Sequence, residues 1–382
     1  MRIRALATVV GVACWTLAAA APAGAFTDQQ RAQMDQEVRA VMQQAGYPGL
    51  LVGVWKKGEG KFISTPGLAN TATGRQMKPG DVGRIGSITK TMTATVILQL
   101  VEEGEIGLDD PVKTYLDRVP RGSKITIRML LNHTSGIFDL PPGVQNASVE
   151  SPHQNWRPEQ LIFRGLRHQR VSPPGEQWHY SNIGYIMLGK IAEDVTGEPM
   201  RWLYEERIFE PLGLRHTRFV PSGEMPAGAV HGYFTRPPSG NLVDTFGWNF
   251  SWAFSAGAMA SNLEDLHRYG PALATGKGLV SKRMQRQRLK LFPVPSEGIG
   301  YGLGIFSIEL GTTTPITYLG HNGIVYGYDA ILLYSPEQKT TIAIIGNTAI
   351  EEDNFPNDQL RPTLISLADL LAATAAGQPL PE

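Results

Sequence analysis

The chain has 382 residues, of which 42% are hydrophobic and 18% are charged, with 35 lysines and arginines against 35 aspartates and glutamates. This balance is ordinary for a soluble globular protein, and it provides no basic excess of the kind that binds nucleic acid. The length allows two or three domains and is sufficient to bury a large core. Composition and charge therefore argue against nucleic acid as a partner.

The first 25 residues have the three parts of a secretory signal peptide. Arg2 and Arg4 are followed by an apolar run over 5–20 and by the small residues of 23–25, so we predict cleavage after residue 25. The only cysteine of the sequence, Cys14, falls inside this segment, which leaves the mature chain without a thiol or a disulfide. No second apolar stretch approaches the ~20 residues of a membrane span. We therefore predict an exported protein, periplasmic or secreted, with no membrane span in the mature chain.

Helical and extended patterns alternate in the next part of the chain. Residues 27–44 mix polar and apolar positions at helical spacing, which predicts a first helix. Two short apolar or alternating runs, 49–55 and 61–65, are separated by a glycine-containing turn and predict a β-hairpin. A further helix is predicted to begin near Ser87 and to end at Gly104, a common C-terminal cap residue.

The middle of the chain is predicted to be helical, and the last third returns to strands. Helical spacing recurs over 127–131, 158–168, 183–196 and 200–208. Short apolar runs between Gly, Pro and Asn turns predict strands at 301–308, 316–320, 328–334 and 340–346. A last helix is predicted over 357–374.

These elements predict an α+β fold, in which the N- and C-terminal helices pack on an antiparallel β-sheet and an all-helical domain is inserted into the chain. The sheet domain is expected to comprise 26–103 and 241–382, and the inserted helical domain 104–240, after the signal peptide 1–25. The helix that follows Ser87 then lies at the junction of the two domains, where clefts commonly form.

The sequence Ser87-Ile88-Thr89-Lys90 is the first indication of chemistry. Residues three apart on a helix share a face, so a helix that begins near Ser87 brings the Lys90 amine beside the Ser87 hydroxyl. A hydroxyl is a poor nucleophile at its ordinary pKa, and a desolvated, neutral lysine can accept its proton. Ser-x-x-Lys alone is a weak signal, because about one or two matches are expected by chance in a chain of this length. The alternative is a capped surface helix with a solvated lysine.

Three further motifs accompany this pair in the order Leu-Leu-Asn-His-Thr-Ser-Gly-Ile at 130–137, Tyr180-Ser181-Asn182 and His321-Asn322-Gly323. Together the motifs resemble the serine β-lactamase/DD-peptidase superfamily, and in particular the branch that holds class C β-lactamases, secreted D-Ala-D-Ala carboxypeptidases and related esterases. The resemblance extends from about residue 49 to about residue 347. It implies a β-lactamase/transpeptidase-like fold and an acyl-enzyme hydrolase with no cofactor or metal. It also implies a small peptide, ester or β-lactam substrate, with no partner protein.

The resemblance implies roles for individual residues. Ser87 would be the nucleophile and Lys90 its base. Tyr180 would exchange protons with Lys90, and Asn182 would hold the substrate amide; the alternative is a core tyrosine and a helix N-cap asparagine. Because Tyr180 and Asn182 precede a helix in a turn-rich stretch, both side chains could point into a cleft. The oxyanion hole would consist of the backbone N–H groups of Ser87 and Ile324.

The motif His321-Asn322-Gly323 departs from its family where a substrate carboxylate is held. The family has Lys-Thr-Gly or His-Thr-Gly, so His321 and Gly323 fit the pattern, and a glycine here lets the backbone approach the substrate. Asn322 replaces a threonine, and Ile324 replaces a hydroxyl residue. No arginine occurs between positions 288 and 361 to supply a cation. We predict that all four residues of 321–324 bind substrate, but the substrate itself stays open.

Aromatic residues alternate with small or polar ones over 246–254, which predicts an extended segment with one aromatic face. The aromatic members are Phe246, Trp248, Phe250, Trp252 and Phe254. One interpretation is core packing; the other is that Trp248 or Trp252 lines an acyl pocket, so both are candidate substrate-binding residues. His133 lies one residue beyond the apolar run 129–131 and is interpreted as a buried structural histidine.

Other hydrolase signatures are absent from the sequence. There is no Gly-x-Ser-x-Gly of an α/β-hydrolase and no His-Glu-x-x-His of a zinc enzyme. Three functions are therefore considered. The leading one is an exported serine hydrolase that acts through an acyl-enzyme on Ser87, as a D-Ala-D-Ala carboxypeptidase of cell-wall D-peptides. The others are an esterase or β-lactamase of the same fold, and a non-catalytic peptidoglycan- or penicillin-binding domain.

Overall fold

The computed structural model describes residues 25–236, 241–296, 298–349 and 364–380. Its helices are α1 (Asp28–Ala45), α2 (Thr89–Glu103), α3 (Ile127–Leu131), α4 (Pro142–Glu150), α5 (Pro158–Leu166), α6 (Asn182–Thr196), α7 (Met200–Tyr204), α8 (Glu210–Leu212), α9 (Phe254–Gly257), α10 (Leu263–Thr275), α11 (Lys282–Arg288) and α12 (Leu364–Ala376). Its strands are β1 (Leu50–Lys56), β2 (Gly60–Ser64), β3 (Leu68–Asn70), β4 (Arg75–Gln76), β5 (Gly83–Arg84), β6 (Arg218–Phe219), β7 (Tyr233–Arg236), β8 (Asn241–Asp244), β9 (Met259–Ser261), β10 (Phe292–Pro293), β11 (Ile299–Tyr301), β12 (Phe306–Leu310), β13 (Ile316–Val325), β14 (Tyr328–Ser335) and β15 (Thr340–Gly346).

An eight-stranded antiparallel sheet has the strand order β10-β11-β12-β13-β14-β15-β1-β2. The first two strands of the sheet in chain order form the hairpin β1–β2. The other six strands, β10–β15, follow the helical region in the chain. The two contributions meet where β1 pairs with β15, from Leu50 opposite Gly346 to Lys56 opposite Thr340. The sheet, the terminal helices and the helical region confirm the predicted α+β fold.

Strand β1 is buried on both faces because helices cover the sheet on both sides. Leu50, Val52 and Val54 belong to the core that includes α1 and α12. Leu51 and Trp55 point the other way, into the core that includes α2 and α10. This two-sided burial explains why the sequence of β1 is almost continuously apolar instead of alternating.

The two terminal helices pack against each other on one face of the sheet. Helix α1 confirms the helix predicted at 27–44: Thr27 caps its N-terminus in a capping box with Gln30, and Gly46 ends it with a left-handed φ of 76°. Of the helix predicted at 357–374, the part from Leu364 onward is helical, and the earlier part lies outside the described residues. The predicted signal peptide also lies outside them, apart from its last residue. Within the described ranges, no helix is both long enough and apolar enough to cross a bilayer.

Helix α6 is central to the helical region and packs against α2, α3, α5 and α9. The helices predicted at 127–131, 158–168 and 183–196 are confirmed, with ends that differ by up to two residues. The helix predicted at 200–208 continues beyond α7 as a π-helical turn, Glu205–Phe209. The region 104–240 is not purely helical, because it also contributes the short strands β6 and β7, which pair with β9 and β8. Its predicted boundaries stay predictions.

Two predicted strands differ from the observed ones. The strand predicted at 301–308 is two strands, because the backbone bends at Gly302 and Gly304. A Cβ on Gly302 would lie 2.1 Å from the carbonyl oxygen of Arg288, and one on Gly304 would lie 2.3 Å from the Cβ of Ala94. The strand predicted at 316–320 continues to Val325 as β13, so it includes the motif that begins at His321.

The extended aromatic segment predicted at 246–254 is wrong. The chain turns there and enters helix α9, and Phe254 has a positive φ of 34°. The aromatic side chains therefore leave in different directions. Phe246 stacks on His231, whereas Phe250 lies under the guanidinium of Arg84, 3.8 Å from ring centroid to Cζ.

Candidate active site

Ser87 lies in a 3₁₀ turn, Gly86–Ile88, that joins strand β5 to helix α2. Gly86 has a φ of 49°, a conformation that favours glycine, and its carbonyl accepts a 2.6 Å hydrogen bond from Thr89 Oγ1. Ser87 is half-buried and lies on the cleft wall. The sharp turn therefore presents the Ser87 hydroxyl to the cleft while Lys90 follows on the first turn of α2.

The Lys90 side chain is completely buried and ends among three oxygen atoms. Its Nζ lies 2.8 Å from Ser87 Oγ, 2.7 Å from Asn182 Oδ1 and 2.8 Å from the carbonyl oxygen of Ala256. Burial lowers the pKa of Lys90 to about 7, and the charge of Asp139 opposes this effect. A neutral amine has two N–H groups and one lone pair. With the N–H groups donated to Asn182 and Ala256, the lone pair faces the Ser87 hydroxyl.

Tyr180 is hydrogen-bonded to the Ser87 side chain, and its ring centroid lies 4.7 Å from Lys90 Nζ. Burial raises the pKa of Tyr180 well above its ordinary value of 10.0, although the hydrogen bond to Ser87 lowers it. Tyr180 is therefore a neutral phenol near pH 7, whereas Lys90 can be neutral at the same pH. The difference makes Lys90 the group able to take a proton and Tyr180 a group able to pass one on.

Strand β13 runs against the nucleophile turn, and glycine is required where they meet. A Cβ on Gly323 would lie 2.1 Å from the carbonyl oxygen of Ile85 and 2.6 Å from the backbone nitrogen of Ser87. A Cβ on Gly86 would lie 2.8 Å from the backbone nitrogen of Ile324. The sequence pattern predicts that Gly323 lets the backbone approach the substrate. In the structure Gly323 also lets strand β13 approach the nucleophile turn. The contact brings the backbone nitrogens of Ser87 and Ile324 to the same edge of the cleft.

The cleft has a volume of about 410 Å³. Its lining residues are Ser87, Leu140, Tyr180, Asn182, Trp252, Ala253, Ala256, Gly257, Phe306, Asn322, Gly323, Ile324, Val325 and Tyr326. No arginine or lysine side chain is among these residues. Asn322 and Ile324 are exposed on the same face of β13, and 45% of Ile324 is accessible to solvent.

The nearest arginine in the sequence, Arg288, does not reach the cleft. Its side chain is fully buried, and its Nη2 donates to Thr95 Oγ1 at 2.8 Å. One edge of the cleft therefore carries the polar catalytic groups, and its other walls are apolar and aromatic. The lining residues include no cation that could hold a carboxylate.

Two of the predicted substrate-binding residues lie beneath the cleft. His321 is 1% exposed, and its Nε2 accepts from the Tyr301 hydroxyl at 3.0 Å. Its Nδ1 donates to the Asn322 carbonyl oxygen at 2.5 Å, and burial lowers the pKa of His321 to about 3. Trp248 is 7% exposed and packs on Tyr326. The structure thus places both as supports of the cleft wall, whereas the other predicted aromatic residue, Trp252, lines the cleft itself.

His133 is buried as predicted, and it also contacts the loop that carries Tyr180, which the sequence did not indicate. Its backbone has a φ of 61°, and its ring centroid lies 4.3 Å from that of Tyr180. Its carbonyl oxygen accepts from His179 N at 2.8 Å, and its Nδ1 accepts from Ser181 N at 3.1 Å. His133 therefore binds the backbone on both sides of Tyr180.

Sequence reasoning missed two groups around Lys90, the carbonyl of Ala256 and the carboxylate of Asp139. Asp139 lies two residues after the motif at 130–137, and its Oδ1 accepts from Asn182 N at 2.6 Å. Ala256 contributes a backbone atom of helix α9, which has no sequence signature. Neither contact is local in sequence, so no spacing pattern could have identified them.

A serine at a helix start, a buried lysine one turn later and a strand edge beside both form the arrangement of the Ser-x-x-Lys class, which includes β-lactamases and penicillin-binding proteins. The chain belongs to the Beta-lactamase family, whose model matches residues 34–380. This is a family of serine hydrolases that includes peptidases, amidases and esterases.

Individual relatives are similar but distant. The chain is 28% identical over 317 residues to the putative penicillin-binding protein PbpX of Bacillus subtilis, which covers 82% of the chain and 74% of that protein. It is 27% identical over 251 residues to the D-alanyl-D-alanine-carboxypeptidase/endopeptidase AmpH of Escherichia coli, but this match covers only 61% of the chain and 63% of AmpH. A solved D-stereospecific amidohydrolase from Streptomyces sp. superposes with a TM-score of 0.77 at 31% identity, over 84% of the chain and 94% of that structure.

Proposed function

We propose that the protein is an exported serine hydrolase that cleaves amide and ester bonds of D-amino-acid substrates through an acyl-enzyme on Ser87. The main support for the proposal is the environment of the Lys90 amine. This amine is desolvated, lies 2.8 Å from Ser87 Oγ and has acceptors for its two remaining N–H groups in Asn182 and Ala256. This arrangement prepares a base for the serine and argues against a purely non-catalytic binding domain.

In the proposed reaction Lys90 accepts the Ser87 proton as Ser87 Oγ attacks the substrate carbonyl. The backbone N–H groups of Ser87 and Ile324 stabilise the oxyanion that forms. Tyr180 gives its proton to the leaving amine or alcohol and takes the proton held by Lys90, and the bond to the leaving group breaks. Water then attacks the acyl-enzyme with the same groups acting in reverse, which releases the acid and restores the serine.

The substrate class follows from the charge of the cleft and from the relatives. The lining residues supply no cation, and Asn322 and Ile324 offer no charged group to a C-terminal carboxylate. An amide or ester therefore fits at least as well as a peptide with a free C-terminal acid. The D-configuration rests on the similarity to the D-stereospecific amidohydrolase.

A D-Ala-D-Ala carboxypeptidase is the second candidate, favoured by the similarity to AmpH. It is the more specific version of the same chemistry, so one experiment can separate the two. Export rests on the sequence pattern of the first 25 residues and remains part of the proposal.

The test uses an N-acyl D-alanyl-D-alanine peptide, its C-terminal amide, a D-alanine aryl ester and the L-counterparts of all three. The proposal predicts turnover of the D-substrates, with acid and amide within about tenfold in kcat/KM, because a carboxylate held by a charged hydrogen bond would differ by about tenfold to hundredfold. Ser87→Ala is the control and should turn over none of them. A preference for the acid of about a hundredfold would establish the carboxypeptidase, and the absence of any Ser87-dependent turnover would refute the hydrolase.

A further inference from the structure

The segment from His133 to Asp139 runs along the loop that carries Tyr180 and Asn182. Beyond the contacts of His133, the carbonyl oxygen of Phe138 accepts from Ser181 Oγ at 3.2 Å. Asp139 then accepts twice from Asn182, through Oδ1 from the backbone N–H at 2.6 Å and through Oδ2 from the side-chain amide at 3.3 Å. The carboxylate at the end of the segment is thus joined to the residue that contacts Lys90.

The second of these contacts decides which way the Asn182 amide faces. A carboxylate only accepts hydrogen bonds, so it selects the NH₂ side of the amide and turns Oδ1 toward Lys90. In the reversed orientation the NH₂ group would face the Lys90 amine and compete with Ser87 for its lone pair. The amide orientation therefore determines whether the base is available to the nucleophile.

The charge of Asp139 acts on the same amine. Lys90 is surrounded by Tyr180 and Tyr185, whose ring centroids lie 4.7 and 5.7 Å from Nζ, and by the buried imidazoles of His133 and His321. Burial keeps the pKa of both tyrosines above and of both histidines below their ordinary values, so these four groups are neutral near pH 7.

Burial is the largest influence on the pKa of Lys90 and lowers it, whereas the negative charge of Asp139 raises it. Near pH 7 the charge on Asp139 therefore acts on Lys90 without a competing charge from the surrounding rings.

We propose that Asp139 is a positioning residue of this site: its carboxylate fixes the Asn182 amide with Oδ1 toward Lys90, and its negative charge opposes the effect of burial on the Lys90 amine. The inference rests on the proposed acyl-enzyme function. It adds to that function a half-buried residue that contacts Asn182 and is not one of the residues that line the cleft.

The test compares the full chain with Asp139→Asn, Asp139→Glu and Asp117→Asn. Asp117 is exposed, so Asp117→Asn removes one negative charge from the same region of the chain as a control. The rate of Ser87 labelling by a fluorophosphonate probe is measured from pH 5 to 9.5. In parallel, NMR of protein labelled with ¹³C-lysine follows the Lys90 Cε signal through the same pH range, with Lys90→Arg to assign it.

Asp139→Asn removes the charge and places a second NH₂ group near that of Asn182. We expect its labelling midpoint and its Lys90 titration to move to lower pH by about one unit. We expect its rate on the alkaline plateau to fall by about tenfold or more. Asp139→Glu should keep the midpoint near that of the unmodified chain, and Asp117→Asn should keep both midpoint and rate.

The inference is overturned if Asp139→Asn leaves the Lys90 midpoint unchanged, even if the rate falls, since a purely structural role gives that result. It is also overturned if Asp117→Asn shifts the midpoint equally. If Asp139→Asn does not fold, as judged by circular dichroism, Asp139→Ser supplies the neutral variant. If the unmodified chain does not label at Ser87, the proposed function fails, but the NMR titration still decides the role of Asp139.

Discussion

Lys90 Nζ lies 2.8 Å from Ser87 Oγ, and the two side chains come from successive turns of one helical segment. The pair is held by backbone geometry, so its spacing depends on no loop. The base and the nucleophile are therefore in contact before any substrate arrives, which favours rapid formation of an acyl-enzyme.

Lys90→Arg is expected to be nearly as damaging as Lys90→Ala. Arginine retains the positive charge but does not lose its proton in proteins, so it cannot accept the proton of Ser87. Both variants should lower the rate of Ser87 acylation by about a hundredfold or more. Fluorophosphonate labelling followed by intact-mass spectrometry measures this rate, and Lys124→Arg, at an exposed position, is the control. Retention of more than about a tenth of the rate in Lys90→Arg would make Lys90 an electrostatic partner instead of a base.

Acylation is expected to rise with pH through a midpoint near 7. The pKa of Lys90 is lowered to about 7, and only the neutral amine can accept the Ser87 proton. His321, with a pKa of about 3, is neutral through this range and does not contribute to the rise. Tyr180 should keep its proton to above pH 10, so no fall is expected below that pH. A labelling rate that is constant between pH 5.5 and pH 8.5 would contradict Lys90 as the base.

Gly323→Ala should inactivate the protein without unfolding it. The new methyl group would lie 2.1 Å from the Ile85 carbonyl oxygen and 2.6 Å from the Ser87 nitrogen, so the strand must move away from the nucleophile turn. Loss of one oxyanion donor costs about a hundredfold to a thousandfold in rate. Acylation rate and thermal melting are the two measurements. Gly80→Ala is the matched control, because no atom lies within 4 Å of its added Cβ, and a Gly323→Ala variant as active as this control would exclude the predicted oxyanion edge.

The sequence could predict this site only where its geometry is local. The three-residue spacing of Ser87 and Lys90, and the glycine that ends α2 at position 104, depend on helix geometry alone and are both observed. The contact between Asn182 and Asp139 depends on how two distant loops pack. So does the burial of His321 under the cleft, which its motif could not indicate.

The strand predictions that were wrong failed for the same reason, because tertiary contacts determine the backbone there. Alternation predicts a two-sided strand only if the backbone is extended, and the chain at 246–254 turns before α9. The predicted strand at 301–308 bends because Gly304 must pass Ala94 of helix α2, a contact made across the fold. Periodicity reports local side-chain patterning, and tertiary contacts decide whether the backbone follows it.

Asp329→Asn should stabilise the protein at alkaline pH and have little effect at acid pH. Asp329 is buried on β14, where Tyr47 donates to its Oδ2 at 3.0 Å, and burial raises its pKa to about 7 from 3.8. A carboxyl that holds its proton more tightly when folded loses stability as pH rises from about 4 to about 7, and the loss persists above pH 7. At about 1.4 kcal/mol per pKa unit, the gain for Asp329→Asn at pH 8 should be on the order of 4 kcal/mol. Urea unfolding at pH 4 and pH 8 measures it, and an equal change in unfolding free energy at both pH values would contradict this explanation.

Substrate preference should change when β13 is given the means to hold a carboxylate. Asn322 and Ile324 are both exposed to the cleft from one face of the strand, whereas Gly323 between them faces the nucleophile turn. In the double variant Asn322→Thr with Ile324→Thr, the first change exchanges an amide donor for a hydroxyl and the second adds one neutral donor. A neutral donor is worth about 0.5–1.5 kcal/mol, so kcat/KM for the D-alanyl-D-alanine acid relative to its amide should rise roughly twofold to tenfold. Ile324→Arg adds a charged donor, worth about 1.5–3 kcal/mol, and should raise the same ratio by about tenfold to hundredfold. Ile324→Val is the control and should leave the ratio unchanged. If the unmodified protein already prefers the acid by about a hundredfold and Ile324→Arg adds nothing, a cation from outside the lining residues already holds the carboxylate, and the cleft is that of a carboxypeptidase.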